Sequence, residues 1–135
     1  MPDRLVDIEG IGDIQAKRLS NAGLRNTDDL LESAGSASGR SKLAATTGLS
    51  EKQILEWVNR ADLMRINGVG TEFSDLLEAS GVDTVRELAT RVPANLHAKM
   101  TEVNDAKKLT RRAPNLNEVE RWVAEAKTMK AMVSH

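Results

Sequence analysis

Ile8-Glu9-Gly10-Ile11-Gly12 returns later in the chain as Ile66-Asn67-Gly68-Val69-Gly70. The agreement runs well past the glycines: Leu19 matches Leu77, Gly23 matches Gly81 and Leu30 matches Leu88, all at one constant offset. Further on, Trp57-Val58 is answered by Trp122-Val123 and Ala61 by Ala126, so the second copy holds a few extra residues in between. A repeat of this length predicts two similar helical units sharing one core. The repeated Gly-apolar-Gly also has a physical use, because at a helix start it can point bare backbone amides at a phosphate.

Outward from the first copy, a short helix is expected over Arg4 to Glu9, with Leu5 and Ile8 inward. Ile14, Leu19 and Ala22, with Ala16 between them, suit a helix from Asp13 to Asn21 packed on one face. Gly23 ends it with a left-handed cap. Thr27 is expected to cap the next helix, which carries Leu30 and Leu31, while Asp28 and Asp29 favour its positive end. Ser36 or Ser38 opens another, through Leu43 and Ala44 to Gly48. Ser50-Glu51-Lys52-Gln53 reads as a capping box before a stripe of Ile54, Trp57, Val58 and Ala61.

The second copy follows the same plan. Gly68-Val69-Gly70 turns into a helix with Phe73, Leu76 and Leu77, stopped near Gly81, and Thr84 caps the next, with Val85 and Leu88 inward. Pro93 fits the first turn of a helix running toward Glu102. Asn104 or Asp105 opens a further segment through Leu109 to Ala113, stopped by Pro114. Asn115 with Glu118 repeats the capping signal ahead of Val119, Trp122, Val123, Ala126 and Met129. No stretch alternates like a strand. The expectation is an all-α fold of two pseudo-symmetric units, residues 1–62 and 63–135, packed as a single domain over 1–135, with an insertion around 92–114 in the second.

Composition narrows the function classes. Among 135 residues, 19 Lys plus Arg face 20 Asp plus Glu, which argues against a protein wrapped in nucleic acid but leaves room for a local basic patch. With no cysteine there is no disulfide and no thiolate chemistry. Trp57, Phe73 and Trp122 are the whole aromatic content, too little for the stacking platforms of a single-strand binder. No apolar run is long enough to span a membrane, and Met1-Pro2-Asp3-Arg4 does not lead into a signal-peptide segment. A soluble cytoplasmic protein with no membrane partner is expected.

The run from Ile8 through Gly10, Ile11, Gly12 and Ala16 to Leu19 resembles a helix-hairpin-helix motif, and Gly68, Val69, Gly70 and Leu77 resemble it again, with Ser74 where Ala16 stands. Two such motifs joined by a linker helix resemble the SAM-like, tandem helix-hairpin-helix fold of DNA repair and recombination proteins. With Gly23, Thr27, Leu30, Leu31 and the Ser50 to Ala61 helix, the chain resembles an uncharacterised bacterial family of tandem helix-hairpin-helix proteins. The resemblance implies a non-catalytic module whose hairpin amides, at Gly10, Ile11 and Gly12 and at Gly68, Val69 and Gly70, meet the phosphates of duplex DNA irrespective of sequence.

The charges around these glycines pull both ways. Glu9 and Asp13 flank the first hairpin, with Lys17 and Arg18 a turn further on. Arg65 precedes the second, and Glu72, Asp75 and Glu78 follow it. Each acid near a bound phosphate opposes it by about 1 kcal/mol at contact range in water. The plain alternative is that Gly-apolar-Gly simply joins two helices compactly. The densest basic cluster is His97, Lys99, Lys107, Lys108, Arg111 and Arg112. Lys107 with Arg111 and Lys108 with Arg112 would form one basic face on a helix, either a phosphate site or a solvated face balancing the helix dipole.

Trp57 and Trp122 read as core, with a partner hot spot as the alternative. The final residues are expected to fray. No metal-ligand pair, nucleophile arrangement or phosphate-loop lysine is present, so neither an enzyme nor a cofactor is expected. The reading is a duplex-backbone binder using Gly10, Ile11, Gly12, Lys17, Arg18, Gly68, Val69, Gly70, Lys107, Lys108, Arg111 and Arg112. The alternative is a protein-interaction module that keeps the fold without nucleic acid.

Overall fold

Apolar residues spaced three and four apart become helices along the whole chain. The computed structural model describes residues 2–135; Met1, where the expected first repeat begins, lies outside the described residues. A 3₁₀ turn at Leu5–Asp7 is followed by α1 (Asp13–Asn21), α2 (Thr27–Ala34), α3 (Ala37–Thr47), α4 (Glu51–Leu63), α5 (Thr71–Ala79), α6 (Val85–Leu88), α7 (Pro93–Lys107) and α8 (Leu116–Ala126). Among the described residues there is no strand, only an isolated bridge between Arg4 and Asn26. The fold is all-α. It divides into two compact units, one of residues 1–62 with 132–135 and one of residues 63–131.

In the first unit the helix expected from Arg4 to Glu9 shortens to one turn. Ile8 donates to the Leu5 carbonyl at 3.1 Å, and Gly10, at φ 95°, then takes the chain into the left-handed region where a helix cannot continue. Ile11 is buried at 5 % exposure and Leu19 fully so, but Ile14, expected inward, is 70 % exposed. Ile11 in the turn fills the core position that Ile14, at the second place of α1, does not reach.

The cap of α2 is Asn26, not Thr27: its side chain accepts the Asp29 amide at 3.0 Å. Thr27 is instead a buried helical residue whose hydroxyl accepts the Asp3 amide at 3.2 Å. Ser36 caps α3 and Ser50 caps α4, accepting the amides of Gly39 and Gln53 at 3.0 Å.

The second unit repeats the local bonding at the constant offset. Ile11 donates to Ile8 and Val69 to Ile66, each at 3.1 Å; Leu24 donates to Leu19 at 3.0 Å and Val82 to Leu77 at 2.9 Å. The side chain of Thr84 accepts the Glu87 amide at 3.2 Å, in the place where Asn26 accepts Asp29. Asn115 and Glu118 cap α8 reciprocally, at 2.9 and 3.0 Å. The core of this unit is built from Leu63, Ile66, Val69, Leu76, Leu77 and Leu88 with Met100, Trp122 and Val123.

One expected element does not form. Asn104 and Asp105 open no new helix, because α7 runs unbroken through them and stops when Lys108 turns left-handed at φ 54°. Asn104 is 7 % exposed, and its side-chain amide pairs with the backbone of Thr110 at 2.9 and 3.3 Å, tying down the loop that follows. Residues 108–115 are therefore loop.

The last residues do not fray. Ser134 donates to the Gly35 carbonyl at 2.9 Å, and Val133 is buried. Arg40, 5 % exposed, donates to the carbonyls of Ala34 at 3.1 Å, Gly35 at 2.9 Å and Ser134 at 2.6 Å. It thereby places a positive charge on the terminal carbonyls of α2, whose own last turn has no basic residue. A Cβ on Gly35 would lie 2.3 Å from the Met132 carbonyl oxygen, so only glycine admits this strap. Arg40→Ala should destabilise the protein by about 2–3 kcal/mol through loss of charged hydrogen bonds, and Gly35→Ala by about 1–3 kcal/mol through overpacking. Lys42→Ala on the exposed face of α3 should stay within about 0.5 kcal/mol. Urea unfolding followed by circular dichroism measures all three.

Candidate functional site

Each glycine turn is closed from inside by a tryptophan. A Cβ on Gly10 would meet Trp57 Nε1 at 3.2 Å, and one on Gly68 would meet Trp122 Nε1 at 3.4 Å. Both glycines are left-handed, at φ 95° and 89°. Torsion favours glycine at both places, and at Gly10 the indole crowds a Cβ as well.

Gly12 and Gly70 differ. At φ −91° and −104° they lie in extended backbone open to any residue. A Cβ on Gly70 would meet nothing within 4 Å, and one on Gly12 only the Gln15 side-chain oxygen at 3.1 Å. Ser, Asn or Asp would cap the following helices better. Neither the turn nor packing asks for glycine here; what it leaves is bare backbone facing outward. In α1 the amides of Asp13 and Ile14 have no acceptor among the described residues, and the Gly12 amide is held only by Gln15 Oε1 at 3.1 Å.

The charges at the two turns are opposite in a way the sequence reading missed. Three residues after Trp57 stands Arg60, whose guanidinium donates to the Glu9 carbonyl at 2.7 Å and lies 3.6 Å from where a Gly10 Cβ would sit. Three residues after Trp122 stands Glu125, whose carboxylate accepts the Asn67 amide at 3.2 Å. One scaffold thus sets a cation behind the first turn and an anion behind the second. The signal was readable as the differing third residue after each aligned tryptophan.

The other named residues scatter. Lys17 and Arg18 are exposed on α1 and make no ion pair among the described residues. Arg65 turns away to donate to the Lys130 carbonyl at 2.9 Å. The continuous basic face expected of Lys107, Lys108, Arg111 and Arg112 is absent, because α7 ends at Lys107. Lys107 and Lys108 are exposed. Arg111 shares a cleft with Gly70, Glu72 and Phe73, and it pairs with Glu72 at 3.6 Å.

Arg112 grips Glu118 with two bonds, 2.7 and 3.0 Å, and lies 5.4 Å over the Phe73 ring. That hydrogen bond is the main reason the Glu118 carboxyl falls from 4.5 to about 2; burial opposes it, and the Asn115 amide and the charges of Arg112 and Arg121 add to it. Arg112 is raised by the same bond.

No helix among the described residues is long and apolar enough to cross a membrane. The chain belongs to the family described as a domain of unknown function (DUF4332), whose model matches residues 9–129 and so takes in both turns and α8. No curated protein and no solved structure matches the chain.

Because Glu118 titrates lower in the folded state than in the unfolded chain, its contribution to stability is complete above about pH 4.5 and is lost as pH falls toward about 2. Glu118→Gln should be less stable than the parent at pH 7, and the gap should close across that acid window. Urea midpoints measured from pH 7 downward test it; a constant gap would refute the assignment.

Proposed function

We propose that the protein is a non-catalytic module that contacts the phosphate backbone of duplex nucleic acid, independent of sequence, through a helix-hairpin-helix turn, and that the first turn makes the principal contact. Gly12 carries this reading: it is a glycine that neither torsion nor packing requires, placed where a phosphate would approach unprotected amides. Gly10 and Ile11 shape the turn, the amides beyond Gly12 bond the phosphate, and Arg60, Lys17 and Arg18 add attraction. Gln15 gives way when the ligand takes the Gly12 amide. Gly68, Val69 and Gly70 repeat the shape, but Glu125 and Glu72 oppose an anion there. Lys107 and Lys108 add long-range steering, while Arg111 and Arg112 are engaged by Glu72 and Glu118.

With so few cations at the turn, log affinity should fall with log salt at a slope of about −1 to −2. Gly12→Glu, which the open backbone accepts without refolding, should weaken duplex binding about tenfold or more by charge repulsion. Gly70→Glu should change it by less than about twofold. Fluorescence anisotropy with a labelled duplex at two salt concentrations measures both, and no salt-dependent binding at low ionic strength would end the reading.

One observation favours a second reading, docking on a protein surface without nucleic acid: Ile14, beside the first turn, is 70 % exposed. Under that reading Ile14→Ser weakens the partner complex, while wild-type protein leaves every duplex unbound.

A further inference from the structure

A separate cleft of about 290 Å³ opens in the second unit where α7 begins, between Ser80, Thr90, Arg91, Asn95 and Lys99. No carboxylate lines it. The nearby Glu87 carboxylate is taken up by the Asp83 amide at 2.9 Å, and Thr90 spends its hydroxyl proton on the Glu87 carbonyl at 2.7 Å. Of the side chains that remain, Arg91 and Lys99 are donors only, and the Asn95 amide carries both a donor and an acceptor. Arg91 uses one nitrogen on the Gly81 carbonyl at 2.6 Å and keeps the rest of its fork. Lys99 is exposed and makes no ion pair among the described residues.

Helix α7 starts here without a cap: Val92 in the capping position has no side chain to accept the first amides, and Pro93 follows it. The amides of Ala94 and Asn95 have no acceptor among the described residues. An independent sign comes from the inner wall. Ser80 is 5 % exposed, and its Oγ, shut off from bulk water, has no hydrogen-bond partner. A buried hydroxyl left unsatisfied is costly, and such a group calls for a partner outside the chain. The aligned residue of the first unit is Ala22, which carries no hydroxyl, so the fold itself does not need one.

We propose that this cleft binds an oxyanion of phosphate chemistry, held by Arg91 and Lys99, the first free amides of α7 and the Ser80 hydroxyl. The arrangement joins two cations that supply charge, backbone amides that supply direction and a shielded hydroxyl that supplies the last donor. It does not depend on the duplex-binding reading, which rests on the first unit. Phosphate reaches such a site in two forms, as the free or terminal dianion or as the diester of a nucleic-acid backbone.

The test is a ¹⁵N-correlation titration of the full chain with inorganic phosphate, against sodium chloride at matched ionic strength, and in parallel with a short duplex lacking terminal phosphates. Saturable shifts of the Ala94 and Asn95 amides with phosphate and not chloride are expected. Lys99→Glu should weaken the response about tenfold, and Arg91→Gln should do the same with the rest of the spectrum unchanged. Shifts with inorganic phosphate alone assign the site to the dianion; the same shifts with the duplex assign it to the diester. The absence of saturable shifts with either, or equal affinity in Lys99→Glu and the parent, would overturn the proposal. Loss of duplex binding through Gly12→Glu with the α7 response intact would leave it standing.

Discussion

Each unit depends on one contact, an indole wedged beneath a left-handed glycine. Trp57 and Trp122, each 2 % exposed, lie under Gly10 and Gly68, where a Cβ would crowd Trp57 at 3.2 Å and touch Trp122 at 3.4 Å. The torsion at these positions would cost an L side chain about 1–2 kcal/mol even in open space. The torsion thus sets the direction in which α1 and α5 leave their turns, and at Gly10 the indole adds a steric restriction. Ile11 and Val69, between exposed glycines, point inward and plug the core at 5 % and 4 % exposure. With the middle residue buried, the flanking backbone has nowhere to face but outward. An exposed, rigid run of amides is thus a by-product of how the core is closed.

What was legible in the sequence is what local chemistry decides. The turn glycines, the Pro93 start, and the Thr84 and Asn115 caps each act within four residues of themselves. The α2 cap was misplaced because Asn26 and Thr27 are both good cap residues, and the choice falls to Asp3, which binds Thr27 from far along the chain. The length of α7 was misread for a similar reason. Asn104 looks like a helix opener, yet its amide is spent on Thr110, six residues on, a pairing that single-residue propensity cannot see. Arg40 gave no sign at all; an arginine among Ser, Gly and Lys reads as surface until Ser134 closes over it.

The candidate site was legible in shape but not in charge. Glu9 and Asp13 were visible next to the first glycines, while Arg60, fifty-one residues from Glu9, was hidden by distance. The cations that looked most useful, Arg111 and Arg112, are engaged by Glu72 and Glu118. Counting charges along the chain therefore misses the cation behind the first turn and understates the acidity of the second.

The exchange of Arg60 for Glu125 shows how a near-neutral chain can hold opposite local charges at two similar turns. The net charge of −1 describes the far field, which is screened beyond about 8–10 Å at physiological salt. Within that distance the side chains around a turn act individually. Behind the first turn Arg60 brings a guanidinium bonded to the turn's own carbonyl, against the flanking Glu9 and Asp13; behind the second Glu125 brings a carboxylate bonded to the turn's own amide. A repeat that kept the glycines, the tryptophans and the caps while reversing this one charge has held its geometry constant and varied its electrostatics. The two turns then present similar backbone with opposite charge behind it.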